Sequence, residues 1–350
     1  MLIFKMKQNK RYISLFGIVF VSMFLFSCIE EVNLPLRVET PKLVVDGLIS
    51  NENTSYKVKL TYTGVYDKSV ATPASLALNG AKVIIQDNLG KSTLLQQDIL
   101  ELGTFVTTDE NFIGSVGKSY RLVVTLPNAD VYSTKFQKML SVPDIRSLKY
   151  EFKDIPNLNN PDYYQIYATT KDPSEQQNFY RWAAYGYSRW ESTGKPCGPF
   201  SPSICYDYCW VPTTADNVTI ASDAAINGNF INNISVFSSP IRAIGKHYVE
   251  VLQYSLDQDS YRFWNLYEEQ RKRVGTIFDP QPAPIEGNLV NEANKFDIAL
   301  GYFSVSAISR KKLTIPFDAS LPFTRLLVGQ GDCRVVFPFG SLDKPVGWPE

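Results

Sequence analysis

Histidine is almost missing from this chain of 350 residues: His247 is the single one. Any Ser-His-Asp or Cys-His nucleophilic system would have to use it as base. No Gly-x-Ser-x-Gly elbow accompanies it, and its neighbours "IGKHYVEVLQY" read as an ordinary strand, so a sheet-surface position is expected. Cysteine is scarce too, with five residues, and none form the paired Cys-x-x-Cys knuckles of a zinc ribbon. Phosphate loops, dinucleotide fingerprints and EF-hand loops are missing. So is any basic block or basic-aromatic stripe, which argues against a nucleic-acid partner. No apolar run reaches the roughly 20 residues of a membrane-spanning helix.

A shorter apolar run, Ile13 to Phe26, follows Lys5, Lys7, Lys10 and Arg11 with no acidic residue among them. That is the layout of a secretory signal over residues 1–27. Leu25-Phe26-Ser27-Cys28 resembles the bacterial lipobox, with small Ser27 before the cut and the Cys28 thiol as the lipid attachment point. The rival readings are an ordinary cleaved signal and an uncleaved anchor. Glu30 and Glu31 then resemble signals that carry lipoproteins to the outer face of the outer membrane. They read equally as part of a solvated tether over 28–41. A three-chain acyl anchor holds stably, at about 0.8 kcal/mol per buried methylene. Removing residues 1–27 takes four of the 35 basic residues and none of the 35 acidic ones, leaving 31 against 35, a net charge of −4.

Composition favours β structure: 13% of residues are aromatic, including 20 Tyr and 21 Phe. From 42 to 142, "KLVVDGLI", "YKVKLTY", "AKVIIQDNLGKSTLL", "GTFVTT", "SYRLVVTL" and "VYSTKF" are short period-two runs separated by turn residues. That spacing predicts an immunoglobulin-like or transthyretin-like β-sandwich. Pro143 and Asp144 mark the boundary to a larger β-rich domain over 143–350. Its one helix is predicted near 259–274, capped by Asp259 or Ser260, with Phe263, Leu266, Tyr267 and Gln270 on one face and Gly275 ending it.

Cys197, Cys205, Cys209 and Cys333 make an even set in an exported chain, read as two disulfides with three connectivities open. At least one bridge is expected within "CGPFSPSICYDYCW", with Cys333 tying the C-terminal segment to that loop. Glu250, Asp279, Glu286 and Asp297 are the carboxylates a glycan hydrolase could pair. Trp182 reads as core filler. Trp190, Tyr206 and Trp210 flank the cysteine loop and are the candidate recognition surface for sugar rings or a partner's loop.

The stretch "SYRFWNLYEEQRKRVGTIFDPQPAPIEGNLVNEANKFDIALGYFSVSAIS" resembles the domain of unknown function 4249 family of Bacteroidota lipoproteins. The motifs are Gly275 to Pro282, Gly287-Asn288 and Gly301 to Ser306, with "LVVDGLI", "GAKVIIQD" and "VGKSYRLVV" upstream and "DCR" and "KPVGW" downstream. The resemblance implies an outer-membrane lipoprotein, often encoded beside TonB-dependent transporters, and no catalytic residues. The expectation is therefore a non-enzymatic accessory or ligand-capture component with a glycan or peptide ligand. A surface glycan hydrolase and a purely structural envelope protein are the alternatives. No metal or cofactor is expected beyond the covalent lipid on Cys28.

Overall fold

A computed structural model describes residues 40–64, 72–155, 162–192, 206–215, 217–243, 245–273, 283–322 and 331–349. Cys28, Cys197, Cys205 and Asp279, with the whole "Gly-x-Ile-Phe-Asp" turn, lie outside them. The chain is mainly β with one main helix.

The first core lies inside a sheet built from β1 (Leu43–Ile49), β2 (Lys57–Tyr62), β3 (Lys82–Asp87), β4 (Ser92–Gln97), β5 (Thr104–Thr107), β6 (Ser119–Thr125), β7 (Val131–Ser133) and the short β8 (Gln137–Lys138). A short helical turn, α1 (Pro73–Leu76), precedes β3. Alternation drives these strands: Tyr120, Leu122 and Val124 of β6 face inward beside Val83 and Ile85 of β3. This is not the expected sandwich. β16 (Glu286–Asn291) and β17 (Ile298–Val305) insert between β1 and β7, and β3 pairs with β6, so nine strands close into a barrel-like sheet. β17 runs parallel to β1, Val44 opposite Leu300 through Ile49 opposite Val305. Leu289, Ala299, Phe303 and Val305 thereby join the first core, so that core does not end at residue 142.

The "Gly-Asn" step and the "Gly-Tyr-Phe" strand make this insertion work. Gly301 has φ +76°, and a Cβ there would run into the Val45 carbonyl oxygen on the parallel neighbour; Gly287 in turn meets the Gly301 carbonyl oxygen. Only glycine fits such an approach without penalty. The register of β16 on β17 slips between Glu286 and Val290, which interrupts the ladder. Asn288 repairs it by acting as a surrogate peptide: its Nδ2 donates to the Phe303 carbonyl at 2.7 Å and its Oδ1 accepts from the Phe303 N–H at 2.9 Å.

The second core lies between two sheets. One contains β9 (Ile145–Lys153), β10 (Tyr163–Lys171) and β14 (Phe230–Pro240). The other contains β11 (Phe179–Glu191), β12 (Tyr208–Thr214), β13 (Thr219–Ser222), β15 (His247–Leu256) and β18 (Ile308–Ile315). β11 alternates over its whole length, pointing Tyr180, Trp182, Ala184, Ser188 and Trp190 inward. Trp182 sits in this core, its indole N–H donating to Gln253 Oε1 at 3.0 Å.

All ten residues of β15 are buried. Val249 and Val251 face the core, while Leu252 and Tyr254 on the other side pack with Leu48 of β1 and Ile308 of β18. The main helix, α2 (Gln258–Lys272), is capped by Asp257, whose carboxylate accepts the Ser260 N–H at 2.8 Å. Its buried face is Ser260, Phe263 and Glu268, while Leu266 and Tyr267 are exposed, a correction to the predicted face. Two contacts set this rotation. Phe263 lies 4.8 Å from the Tyr302 ring, and the Arg181 guanidinium sits 4.3 Å from both the Trp264 and Tyr254 rings.

Candidate functional site

β11 and β12 pair antiparallel with Arg189 opposite Trp210, Trp190 opposite Cys209 and Glu191 opposite Tyr208. The pleat therefore sends Arg189, Glu191, Tyr208 and Trp210 to one face and Trp190 with Cys209 to the other. Cys209 is bonded to Cys333, with 6.0 Å between their Cα atoms, at the head of α3 (Cys333–Val336). Around that bond lies a small core of Trp190, Val211, Ala243 and Phe337. The segment after α3 returns along β12, where Trp210 and Ser341 exchange N–H···O bonds of 2.9 and 2.8 Å. Gly347, at φ +85°, brings the tail backbone close to the Tyr248 hydroxyl and the Lys312 ammonium. Trp348 then stands 6.2 Å from Trp210 and 6.5 Å from Tyr248.

These elements enclose an open groove of about 520 Å³. Tyr208, Trp210 and Trp348 supply rings, and Arg189, Lys246 and Lys344 outnumber Glu191 in charge. The Arg189 guanidinium lies 4.9 Å from the Tyr208 ring and 3.7 Å from the Glu191 carboxylate. Among the described residues, neither the Trp210 indole N–H nor Arg189 Nε has an acceptor, although both are shielded from solvent. Unsatisfied donors of this kind cost roughly 1–3 kcal/mol each. Chemically, the groove suits a ring or planar body that brings acceptors and negative charge.

The three aromatic residues expected to form a recognition surface divide differently. Trp190 is 1% exposed and packs on Phe337 in the disulfide core, because it sits one position off the groove face. Tyr206 carries the Arg334 guanidinium 4.5 Å over its ring and does not line the groove. Trp210 does, through the part of the ring its 7% exposure leaves. Tyr208 and Trp348 take the places expected of the other two; the tail motif "KPVGW" was the only signal for Trp348.

His247 is buried, not on a sheet surface. Its Nδ1 lies 3.2 Å from the Ser188 hydroxyl and its Nε2 lies 2.7 Å from the Ser239 hydroxyl. Burial holds its pKa down to about 4. With both nitrogens on core serines, the ring faces neither a carboxylate nor the groove.

The carboxylates occupy separate settings. Glu250, buried on β15, accepts from Tyr248 at 2.7 Å, Tyr185 at 2.8 Å and Arg310 at 3.0 Å. Burial pushes its carboxyl up, but the bonds from Tyr248, Arg310 and Tyr185 outweigh that and hold it below its ordinary value. Arg310 also grips Glu52 with two nitrogens. Asp297 accepts the Tyr132 hydroxyl at 2.5 Å in the first sheet, and Glu286 is exposed on β16. A buried pair not foreseen from sequence is Asp172 and Asp223. Tyr180 donates to Asp172 at 2.5 Å and the Asn178 N–H to Asp223 at 2.8 Å, and burial raises the Asp223 carboxyl.

Fold and groove together define a mainly β chain in which a barrel-like sheet and a two-sheet core carry a disulfide-clamped aromatic groove. The family model described as "Domain of unknown function (DUF4249)" matches residues 29–312, and the chain belongs to that family. No curated protein matches the chain. Cys333 and Trp348 lie beyond the matched segment.

Proposed function

We propose that this chain is an outer-membrane lipoprotein, anchored through Cys28 and exposed at the cell surface, that captures a ligand as a non-enzymatic accessory beside a TonB-dependent transporter. The observation that carries the reading is the groove beside the Cys209–Cys333 bond, where three aromatic rings and three cations surround shielded donors that have no acceptor among the described residues. Ring faces bury area at low entropic cost, and cations orient an acidic group, a pairing suited to binding and handing on a ligand. The ligand class is an acidic sugar of a glycan or a peptide that sets an acidic side chain beside an aromatic one. The signal-like N-terminus and the family resemblance support the location and the transporter partnership.

The test is a screen of acidic glycans and peptides against the lipidated protein, repeated with Trp348→Ala and Arg189→Gln. Binding that falls at least tenfold in both variants supports the reading. Binding that neither variant changes moves recognition away from the groove.

A further inference from the structure

Followed round the barrel-like sheet, the registers place the start of β1, the end of β2, the β4–β5 tip and the β16–β17 tip at one end. The opposite end carries the Ser50–Glu52 turn, which meets the second core: Asn51 accepts the Ile308 N–H and Glu52 pairs with Arg310. Among the described residues, the first end therefore lies at the far side of the sheet from the second core, and the described chain enters there just before Lys42.

The tips at this end carry fully exposed apolar side chains. Ile99 and Leu100 are 89% and 91% exposed on the β4–β5 tip, and Phe296 is 97% exposed on the β16–β17 tip. In sheet order the strands run β4-β5-β2-β1-β17-β16, so the tips flank the entry of β1 on either side. Four strand spacings of about 4.8 Å separate them, about 20 Å measured round the rim. Both are braced: Asp98 Oδ1 accepts the Leu100 N–H at 2.8 Å, and Asn294 Oδ1 accepts the Phe296 N–H at 3.2 Å. Single exposed apolar side chains are ordinary on a protein surface; what sets these apart is their place, both tips standing at the end of the sheet where the chain enters.

We propose that this rim rests on a lipid surface, with Ile99, Leu100 and Phe296 dipping into the bilayer interface beside the point where the tether arrives. The inference uses the acylated Cys28 of the proposed function to choose the occupant. The chain from Cys28 to Lys42 spans fourteen residues, a reach of up to about 50 Å when extended, so the acyl anchor by itself does not dictate which face meets the bilayer. Two apolar tips on either side of the tether fix its orientation. The barrel then stands on the membrane and the second core, with its groove, is held outward. Small apolar anchors add to covalent lipid in this two-signal manner.

The experiment uses full-length acylated protein in phosphatidylethanolamine–phosphatidylglycerol nanodiscs with brominated acyl chains. Leu100→Trp and Phe296→Trp report depth, with Val346→Trp on the tail as control. The expected result is at least twofold quenching of the added emission at 100 and 296 and none at 346. In parallel, Cys28→Ser protein is floated with vesicles of the same lipids. Combining Ile99→Ser, Leu100→Ser and Phe296→Ser should lower its binding at least tenfold. Unquenched tips in a protein whose Cys28 acylation is verified by mass spectrometry would overturn the rim inference and leave the anchor standing. Quenched tips without acylation would uphold the rim and overturn the anchor. Concentration-dependent dimers of Cys28→Ser protein that the same serines abolish would assign the tips to a second copy of the chain and overturn the lipid surface.

Discussion

The single histidine offers an unambiguous titration. His247 is 2% exposed between Ser188 and Ser239, and burial lowers its pKa from 6.5 to about 4. The unfolded chain therefore binds a proton at this site over a pH range where the folded chain does not. The resulting stability is fully present above pH 6.5 and is lost as pH falls from 6.5 through about 4. It then levels off. A fall from 6.5 to about 4 corresponds to about 3 kcal/mol. Because the chain has one histidine, its Cε1–H resonance in a proton–carbon NMR spectrum needs no assignment. The expected trace is flat from pH 8 to 5. Urea midpoints of wild type and His247→Gln should converge as pH falls, because the variant is spared the acid loss. A resonance titrating near 6.5, or parallel pH profiles for the two proteins, would refute the burial argument.

Three further outcomes follow from named contacts. Replacing Cys209 and Cys333 by serine opens a loop of 124 residues, with an upper bound of about 5 kcal/mol in chain entropy. Urea unfolding should register that loss, and ligand affinity should drop with it because the tail bearing Trp348 loses its clamp. Asn288→Ala removes both bonds to Phe303 and should cost about 2 kcal/mol by urea midpoint, while Asn288→Asp sets a carboxylate oxygen against the Phe303 carbonyl oxygen and should cost at least as much at neutral pH. Arg310→Met leaves Glu250 buried beside two tyrosines and should cost about 3 kcal/mol, the low end for a broken buried pair since 38% of the Arg310 side chain meets water. Adding Glu250→Gln should recover part of that loss, which thermal denaturation of the double variant measures.

Local pattern was legible where one face of a strand is buried and the other is not. β2 shows it best: in "YKVKLTY" Tyr56, Val58 and Leu60 alternate with Lys57 and Lys59 in sequence, and the first three are buried while the lysines are exposed. Closure of the first sheet was not legible, because Val44 and Leu300 are partners far apart in the chain and a parallel pairing leaves no local period. What the chain carries instead is the set of residues that the pairing demands: Gly287, Asn288 and Gly301, visible beforehand only as family motifs. β15 misled for a related reason. An ordinary strand with His247 at the sheet surface was expected, but both faces are covered: β1 and the tail close over the side that carries Glu250, while His247 faces the second core between Ser188 and Ser239. At the groove, a shift of one residue decided everything. Trp190 looked like a surface ring, yet the groove face of β11 belongs to Arg189 and Glu191, and register with β12 brings up Tyr208.

Capture of the tagged, lipidated protein from detergent-solubilised native outer membrane, with cross-linking and mass spectrometry, tests the accessory reading most directly. The account predicts stoichiometric recovery of a TonB-dependent transporter, lost on Cys28→Ala, with cross-links that include Lys246 or Lys344 at the groove. Recovery of the intact lipoprotein alone, across mild detergents and with cross-linking, would contradict it.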